Sequence, residues 1–186
     1  ALAVGLELGI APEIMQKALS SFSGVRRRLE ICGEANGITV INDYGHHPTE
    51  IKATINAVRR GWSRGRLHVV FQPHRYTRTR DCFVDFLNAF AECDNLILTE
   101  IYAASEDPIE GVSGTALFEA LTHPAQKRFV GSLDAVPSAL LPLLEPEDVV
   151  LCLGAGSIGS LAEVLVHEIA KKAPVSPIRS MTAEVH

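Results

Sequence analysis

The 186-residue sequence holds no apolar run near the roughly 20 residues that a bilayer-spanning helix needs. No membrane partner is expected. Positive charge is also scarce: the net charge is -5 and the pI about 5.8, so there is no broad basic field for nucleic acid or an anionic lipid surface. Cys32, Cys82, Cys93 and Cys152 form no CxxC pair, and a chain long enough to bury a sizeable core needs no disulfide staples. They read as reduced thiols of a cytoplasmic protein. The amino-terminal run Ala-Leu-Ala-Val-Gly-Leu-Glu lacks the basic start of a signal peptide and reads as the middle of a helix, as in a piece of a longer chain. Despite seven histidines there is no His-x3-His pair or Cys/His cluster with ligand spacing, so no protein-bound metal is expected here. There is likewise no GxSxG nucleophile turn and no phosphate-cradling GxxxxGK[ST].

What is present is an ordinary globular composition, 47% hydrophobic and 21% charged, with room for one full domain. Ala11-Pro12-Glu13 opens a helix that ends near Ser23-Gly24. Apolar-rich runs at 28–34 and 38–42 flank Asn36-Gly37, a hairpin signal. Strands and helices then alternate. A helix from Pro48 to Gly61 carries Ile51, Ile55 and Val58 on one face; strand 67–71 follows, then a helix from about Thr79 with Phe83, Leu87 and Phe90 inward. Strand 96–99, helix 115–121, strand 128–130, helix 135–144 and strand 149–153 continue the cycle. Ile158, Leu161, Leu165 and Ile169 stripe a last helix. The pattern predicts an α/β fold, Rossmann-like, with a mostly parallel sheet, helices on both faces and a β-hairpin at its start. Residues 173–186 show no period and read as a mobile tail.

In such a sheet ligands sit beyond the carboxyl ends of the strands, which directs attention to three loops. Asn42 to Glu50 puts Asp43, Tyr44, His46 and His47 into one turn. A carboxylate there can accept both hydroxyls of a ribose, and Tyr44 or His46 can stack on a base; alternatively, Asp43 caps the following helix and His47 is a solvated turn residue. Gln72 to Arg80 places His74, Arg75, Arg78 and Arg80 at a helix start, where cations oppose the helix dipole unless an anion sits among them. Arginine forks suit carboxylate or phosphate, and Arg75 and Arg78 are close enough to converge on one group; the alternative is pairing with Asp81, Asp85 or Glu106. Gly154-Ala155-Gly156-Ser157-Ile158-Gly159 matches GxGxxG, but no further strand ending in an acidic residue follows, so a tight turn approaching a neighbouring loop is the simpler reading than a nicotinamide site. Arg26-Arg27-Arg28 reads equally as a solvated basic run, and the loop from Ile101 to Pro108 as a surface connection or a rim of the crevice.

Phe22-Ser23-Gly24-Val25-Arg26-Arg27-Arg28, Asp43-Tyr44-Gly45-His46-His47-Pro48-Thr49-Glu50 and Phe71-Gln72-Pro73-His74-Arg75-Tyr76-Thr77-Arg78-Thr79 together resemble the Mur ligase family, specifically the branch that joins L-alanine to UDP-N-acetylmuramate. Ile101-Tyr102-Ala103-Ala104 and Gly154-Ala155-Gly156 agree with it. A murein-peptide ligase domain is similar around Asp43 but differs in the 71–79 run; a non-catalytic nucleotide-binding or regulatory module is a rival of another class. The resemblance implies that residues 1–24 are the terminal helix and linker of a central ATPase domain, that 25–172 are the C-terminal domain, and that the P-loop and Mg2+ ligands lie upstream. It further implies a cytoplasmic enzyme that uses ATP and Mg2+ to activate the muramoyl carboxylate as an acyl phosphate, which L-alanine attacks. By the same resemblance Arg28 faces the ATP phosphates, Asp43 holds the ribose, and Tyr44 and His46 line the nucleotide and amino-acid side of the cleft. His74, Arg75 and Arg78 then receive the L-alanine carboxylate. Asn42 stands where the family often has a second Asp.

Overall fold

The computed structural model describes residues 1–22 and 24–172. The segment before the linker forms α1 (Leu2–Glu7) and α2 (Pro12–Ser20), the latter with Pro12 in its first turn, where the missing N–H has no intrahelical partner to lose. Gly5 is the buried residue of α1, packed so closely on Met15 that an added Cβ would displace the thioether, and α2 buries none. Leu2, Val4, Leu6, Leu8 and Ile14 are all exposed.

Asn36 and Gly37 make the expected hairpin turn. Both take positive φ, 52° and 75°, as a tight turn between antiparallel strands requires. The turn joins β1 (Glu30–Ala35) to β2 (Ile38–Asp43), with Ala35 opposite Ile38. Four further strands, β3 (Leu67–Phe71), β4 (Asn95–Thr99), β5 (Gln126–Val130) and β6 (Val149–Leu153), complete a sheet in the order β1-β2-β6-β3-β4-β5. Every pairing except β1 with β2 is parallel. β3, β4 and β6 are buried along their whole length, as continuous apolar runs covered on both faces should be.

Strand parity sorts the core into two layers. Ile41, Val69, Leu98 and Leu151 face α3 (Pro48–Gly61), α5 (Phe83–Phe86) with the turns after it, and α6 (Gly114–Ala120) through Ile51, Ile55, Phe86, Phe90 and Leu117, while α4 (Tyr76–Asp81) precedes α5 and buries Thr79. Val40, Val70, Ile97 and Val150 face α7 (Val136–Leu140) and α8 (Leu161–Lys171) through Val136, Leu140, Leu161, Leu165 and Ile169. The α/β architecture inferred from alternating periodicity is therefore the one found. The same parity sends Asp43, at the end of β2, toward α3 and its neighbour Asn42 toward α8.

Two elements differ from the sequence reading. The helix placed from about Thr79 starts at Tyr76 and breaks at Cys82 (φ -103°, ψ 14°), so that Phe86, Ala89 and Phe90 become buried while Phe83 and Leu87 stay half-buried. The rings of Phe86 and Phe90 stand 5.7 and 5.1 Å from that of Phe71, so both pack on β3. The 135–144 helix shortens to α7, flanked by 3-10 turns at Leu133–Ala135 and Leu141–Leu143. The tail, residues 173–186, and Ser23 of the linker lie outside the described residues.

At the amino-terminal edge of the sheet a buried polar knot ties β3 to β6. Asp148 accepts the backbone N–H groups of Arg66 and Glu145, each at 2.9 Å, and pairs with the Arg66 guanidinium at 2.9 Å. His68, 1% exposed, lies with Nε2 2.9 Å from Asp148 Oδ2. Burial would raise the Asp148 pKa, but its bonds to Arg66, Glu145 and His68 outweigh it and hold the carboxylate low. Burial lowers His68, against the opposing pull of Asp148. A neutral imidazole donating from Nε2 fits both shifts and leaves the buried Nδ1 as a bare acceptor.

Both depressed values have one sign. The unfolded chain binds the proton first in each case, so stability falls as pH drops below about 6.5 for His68, and further below about 3.9 as Asp148 is titrated toward its lower folded value. Asp148→Ala should cost about 3 kcal/mol, because it strands several buried donors at once. Urea unfolding of the wild-type and variant chains at pH 8 and pH 5 measures both; a variant that loses under about 1 kcal/mol would show that water reaches the knot.

Candidate functional site

The loops after β2, β3, β4 and β6 meet at the carboxyl-terminal edge of the sheet. Asp43 is the innermost charged group there, only 3% exposed. Its Oδ1 accepts the Gly45 N–H at 2.7 Å and the Thr54 hydroxyl of α3 at 3.3 Å, while Oδ2 accepts the Leu29 N–H of the linker at 2.9 Å. Asp43 does not cap α3. That role falls to His47, whose Nδ1 accepts the Thr49 N–H at 3.3 Å, while Glu50 reaches back to the His46 and His47 N–H groups at 3.2 and 3.3 Å. Burial pushes Glu50 upward, but these N–H bonds, then His46 and Arg28, outweigh it and hold its pKa low.

The linker lies across the site in an unusual conformation. Arg27 and Leu29 have φ of 57° and 46°, the left-handed region that non-glycine residues seldom occupy. The Arg27 carbonyl accepts the Tyr44 N–H at 2.7 Å, and its guanidinium donates to the carbonyls of Gly154 and Gly156 at 2.6 and 3.2 Å. The same guanidinium sits 4.9 Å from the centre of the Tyr44 ring. Arg28 instead points outward: its side chain is 55% exposed, 3.9 Å from Glu50 and 5.8 Å from the Tyr44 ring centre. Of the three consecutive arginines, the half-buried anchor is Arg27. Sequence reasoning passed over it because neighbours of one type look alike until the backbone turns them.

The glycines after β6 serve these contacts. A Cβ on Gly156 would stand 2.6 Å from Tyr102 Cγ and 2.7 Å from Gln72 Oε1, and one on Gly159 would press on the Arg27 guanidinium. Gln72 Oε1 also accepts the Ile158 N–H at 3.0 Å. The GxGxxG run thus packs against neighbouring loops, and its carbonyls face a cation of the chain itself. Asn42, on the other face, gives Nδ2 to the Gly159 carbonyl at 3.2 Å and leaves Oδ1 buried without a partner.

A row of rings crosses the edge. Tyr44 meets His46 edge-on at 5.3 Å, His46 lies 5.8 Å from His74, and His74 stacks on Tyr102 at 5.5 Å with 19° between planes. His46 Nδ1 donates to the Tyr44 carbonyl at 2.9 Å, which leaves its Nε2 outward. Arg78 NH1 donates to the carbonyl and Nδ1 of His74 at 2.9 and 3.1 Å, so that ring nitrogen is an acceptor. Burial, then the positive charges of Arg78, His46 and Arg75, lower the His74 pKa and keep it neutral near pH 7.

The arginines of this loop separate into distinct environments. Arg80 pairs with Asp81 at 2.8 Å and belongs to the surface. Arg75, at φ 74°, pairs with Glu106 at 3.6 Å. Arg78 forms no salt bridge among the described residues. The expectation that an anion must sit at this helix start is met in part from within, because the Glu106 carboxylate accepts the Thr77 N–H at 3.0 Å and hydroxyl at 2.6 Å. The structure therefore gathers Asp43, Tyr44, His46, His74 and Arg78 on one edge, with Arg28 and Arg75 at its rim.

Comparison with known proteins matches residues 27–156 to the family model described as Mur ligase, glutamate ligase domain. The UDP-N-acetylmuramate--L-alanine ligase of Geotalea daltonii is 49% identical over 93% of this chain and 38% of its own length. That of Geobacter sulfurreducens is 45% identical over 90% and 37%. The chain thus spans little more than a third of the curated relatives it matches. Among solved structures, UDP-N-acetylmuramate-alanine ligase from Thermotoga maritima superposes with a TM-score of 0.73 at 26% identity, over 89% of this chain and 35% of that one. A murein peptide ligase from Psychrobacter arcticus shares the fold, with a TM-score of 0.68 at 20% identity over 86% and 33%. With more than half of its residues inside the family model, and a sheet that superposes on solved members, the chain belongs to the Mur ligase family through its glutamate ligase domain.

Proposed function

We propose that this chain is the C-terminal domain of a cytoplasmic, ATP-dependent ligase that joins L-alanine to UDP-N-acetylmuramate, and that its exposed edge supplies the nucleotide and amino-acid side of the cleft. The observation that carries this reading is the meeting, on one edge, of a nucleotide-type half, Asp43, Tyr44 and His46, with an anion-type half, His74, Arg75 and Arg78. Relatives that match nearly the whole chain are named for that reaction. Residues 1–24 fit the end of a preceding ATPase domain, since α1 and α2 expose apolar side chains that a further domain would cover.

In the proposed reaction a muramoyl carboxylate oxygen takes the γ-phosphoryl group of ATP, giving an acyl phosphate and ADP. The L-alanine amine then attacks the acyl carbon, inorganic phosphate leaves and the amine gives up a proton. In this reading the Mg2+ ligands belong to the preceding ATPase domain. What the residues of this edge can do is position and neutralise. Tyr44 and His46 offer faces for a base, and the exposed Arg28 can reach phosphate oxygens across an interdomain cleft. Asp43 would accept ribose hydroxyls through the carboxylate now turned to the Leu29 N–H, so nucleotide binding would draw on the linker's own anchor. Neutral His74 and the Arg78 fork form the carboxylate end.

By itself the chain should fold but release no phosphate from ATP with or without L-alanine, because phosphoryl transfer needs a P-loop and metal site. ATP-dependent, L-alanine-stimulated phosphate release by the purified chain would overturn the reading. In the full-length ligase, Asp43→Ala should raise the KM for ATP about tenfold, matching a lost charge-assisted hydrogen bond of about 1.5 kcal/mol. An unchanged ATP KM in the folded variant would leave Asp43 as a linker anchor alone. Arg78→Lys, which keeps the charge and loses the fork, should raise the KM for L-alanine roughly tenfold and that for ATP much less. Equal rises in both would indicate impaired closure of the domains.

A further inference from the structure

Glu106 lies outside the roles considered so far, on the loop after β4, yet it touches the arginine loop at three points. Oε2 accepts the Thr77 N–H at 3.0 Å, Oε1 accepts the Thr77 hydroxyl at 2.6 Å, and Oε1 stands 3.6 Å from Arg75 NH1. Arg75, at the N-cap of α4, provides no side-chain cap of its own, so the carboxylate satisfying the helix start comes from a different loop. Thr77 and Arg75 hold Glu106 in its charged form: the Thr77 hydroxyl and N–H lower its pKa, and Arg75 adds to them.

The backbone on both sides is built for this contact. Arg75 N–H donates to the Tyr102 carbonyl and Tyr102 N–H to the Pro73 carbonyl, each at 2.8 Å, so the two loops are splinted together. Ala104 and Ser105 both take positive φ, 50° and 69°, and turn the chain so that Glu106 comes back over the arginine loop. Arg75 itself sits at φ 74°. Such conformations cost of order 1 kcal/mol or more each and persist where the surroundings over-determine them. Here the over-determined object is the start of α4, from which Arg78 projects.

We infer that Glu106 is the positioning residue of the amino-acid site: it takes up Arg75 and the first turn of α4, and so leaves the Arg78 fork, tied to His74, as the guanidinium that receives the substrate carboxylate. This rests on the carboxylate role given to the loop above and divides that role between its two arginines. A cation already neutralised by an internal carboxylate has less to offer an incoming one, whereas Arg78 carries an uncompensated charge in a fixed orientation.

Substitution of Glu106 by Gln separates positioning from simple charge balance. If Glu106 only screened Arg75, E106Q would add net positive charge beside the site and lower the KM for L-alanine. If it positions the loop, the start of α4 loosens, Arg78 loses its alignment, and the L-alanine KM rises roughly fivefold or more with kcat and the ATP KM little changed. The measurement is steady-state kinetics of the full-length ligase for E106Q, E106D and R78K, with melting temperatures alongside. E106D keeps the charge on a shorter arm and should fall between wild type and E106Q; it also decides the matter should E106Q fail to fold. A rise for R78K with no rise, or a fall, for E106Q and E106D would overturn the positioning role while leaving the carboxylate reading intact. No rise for any of the three would overturn both.

Discussion

One buried carboxylate joins the linker, the turn after β2 and the helix α3. Asp43 accepts hydrogen bonds from Leu29 in the linker, from Gly45 in the turn it begins and from Thr54 in α3. Its place follows from strand parity. β2 alternates between the two layers of the core, and Asp43 falls on the α3 side at the strand's last position, where the sheet ends and the helix begins. A buried carboxylate is tolerable only where donors surround it, and the backbone here brings them from three directions. Nucleotide recognition at this residue would therefore be inseparable from the path of the linker. A ribose that took Oδ2 would have to replace the Leu29 N–H, and a linker that moved would free the acceptor.

The fold was legible because its signals are local and redundant. Asn36-Gly37 demanded a turn, Pro48 and Gly61 bounded a helix, and Val149 to Leu153 could only be a strand covered on both faces. Once a parallel sheet was inferred, the rule that ligands gather beyond its carboxyl edge directed attention to loops that the structure brings together on one edge. Legibility ended where side-chain direction or long-range partnership decided the outcome. Arg26, Arg27 and Arg28 are chemically identical, and only a positive φ at Arg27 turns that side chain inward to the Gly154 and Gly156 carbonyls. The break at Cys82 was invisible to periodicity because Phe86 and Phe90, four residues apart, share a face with or without it. Glu106 lies 29 positions from Thr77 in sequence. An acidic residue in a loop facing a cationic one was a usable signal, but one it shared with Asp81 and Asp85.

The GxGxxG run shows how a formal motif can be satisfied for another reason. Its pattern records that the backbone comes close to something, without saying what. In a dinucleotide turn that something is a pyrophosphate approached by N–H groups. Here carbonyls point at Arg27, and the missing Cβ of Gly156 makes room for Tyr102 and Gln72. The polarity of the approaching groups is reversed, so this loop is arranged around a cation and is not suited to cradling an anion.

Backbone strain is distributed in the same functional sense. Among the described residues, non-glycine positions with positive φ at the carboxyl-terminal edge are Arg27, Leu29, Arg75, Ala104 and Ser105; Asn36 and Glu147 are in turns at the other end. The five at the site edge fall into two groups, bridged by the row of rings from Tyr44 to Tyr102. Arg27 and Leu29 shape the linker over Tyr44, and Arg75, Ala104 and Ser105 shape the clamp that ends in Glu106. Neither group is required to close the sheet, whose strands are paired and buried without them. Conformations of this kind are maintained by dense hydrogen bonding on a rigid support, and the fully buried β3 and β6 strands provide that support directly beneath both groups. The core thus sustains a strained edge, whose own cations Arg27 and Arg75 are satisfied from within the chain.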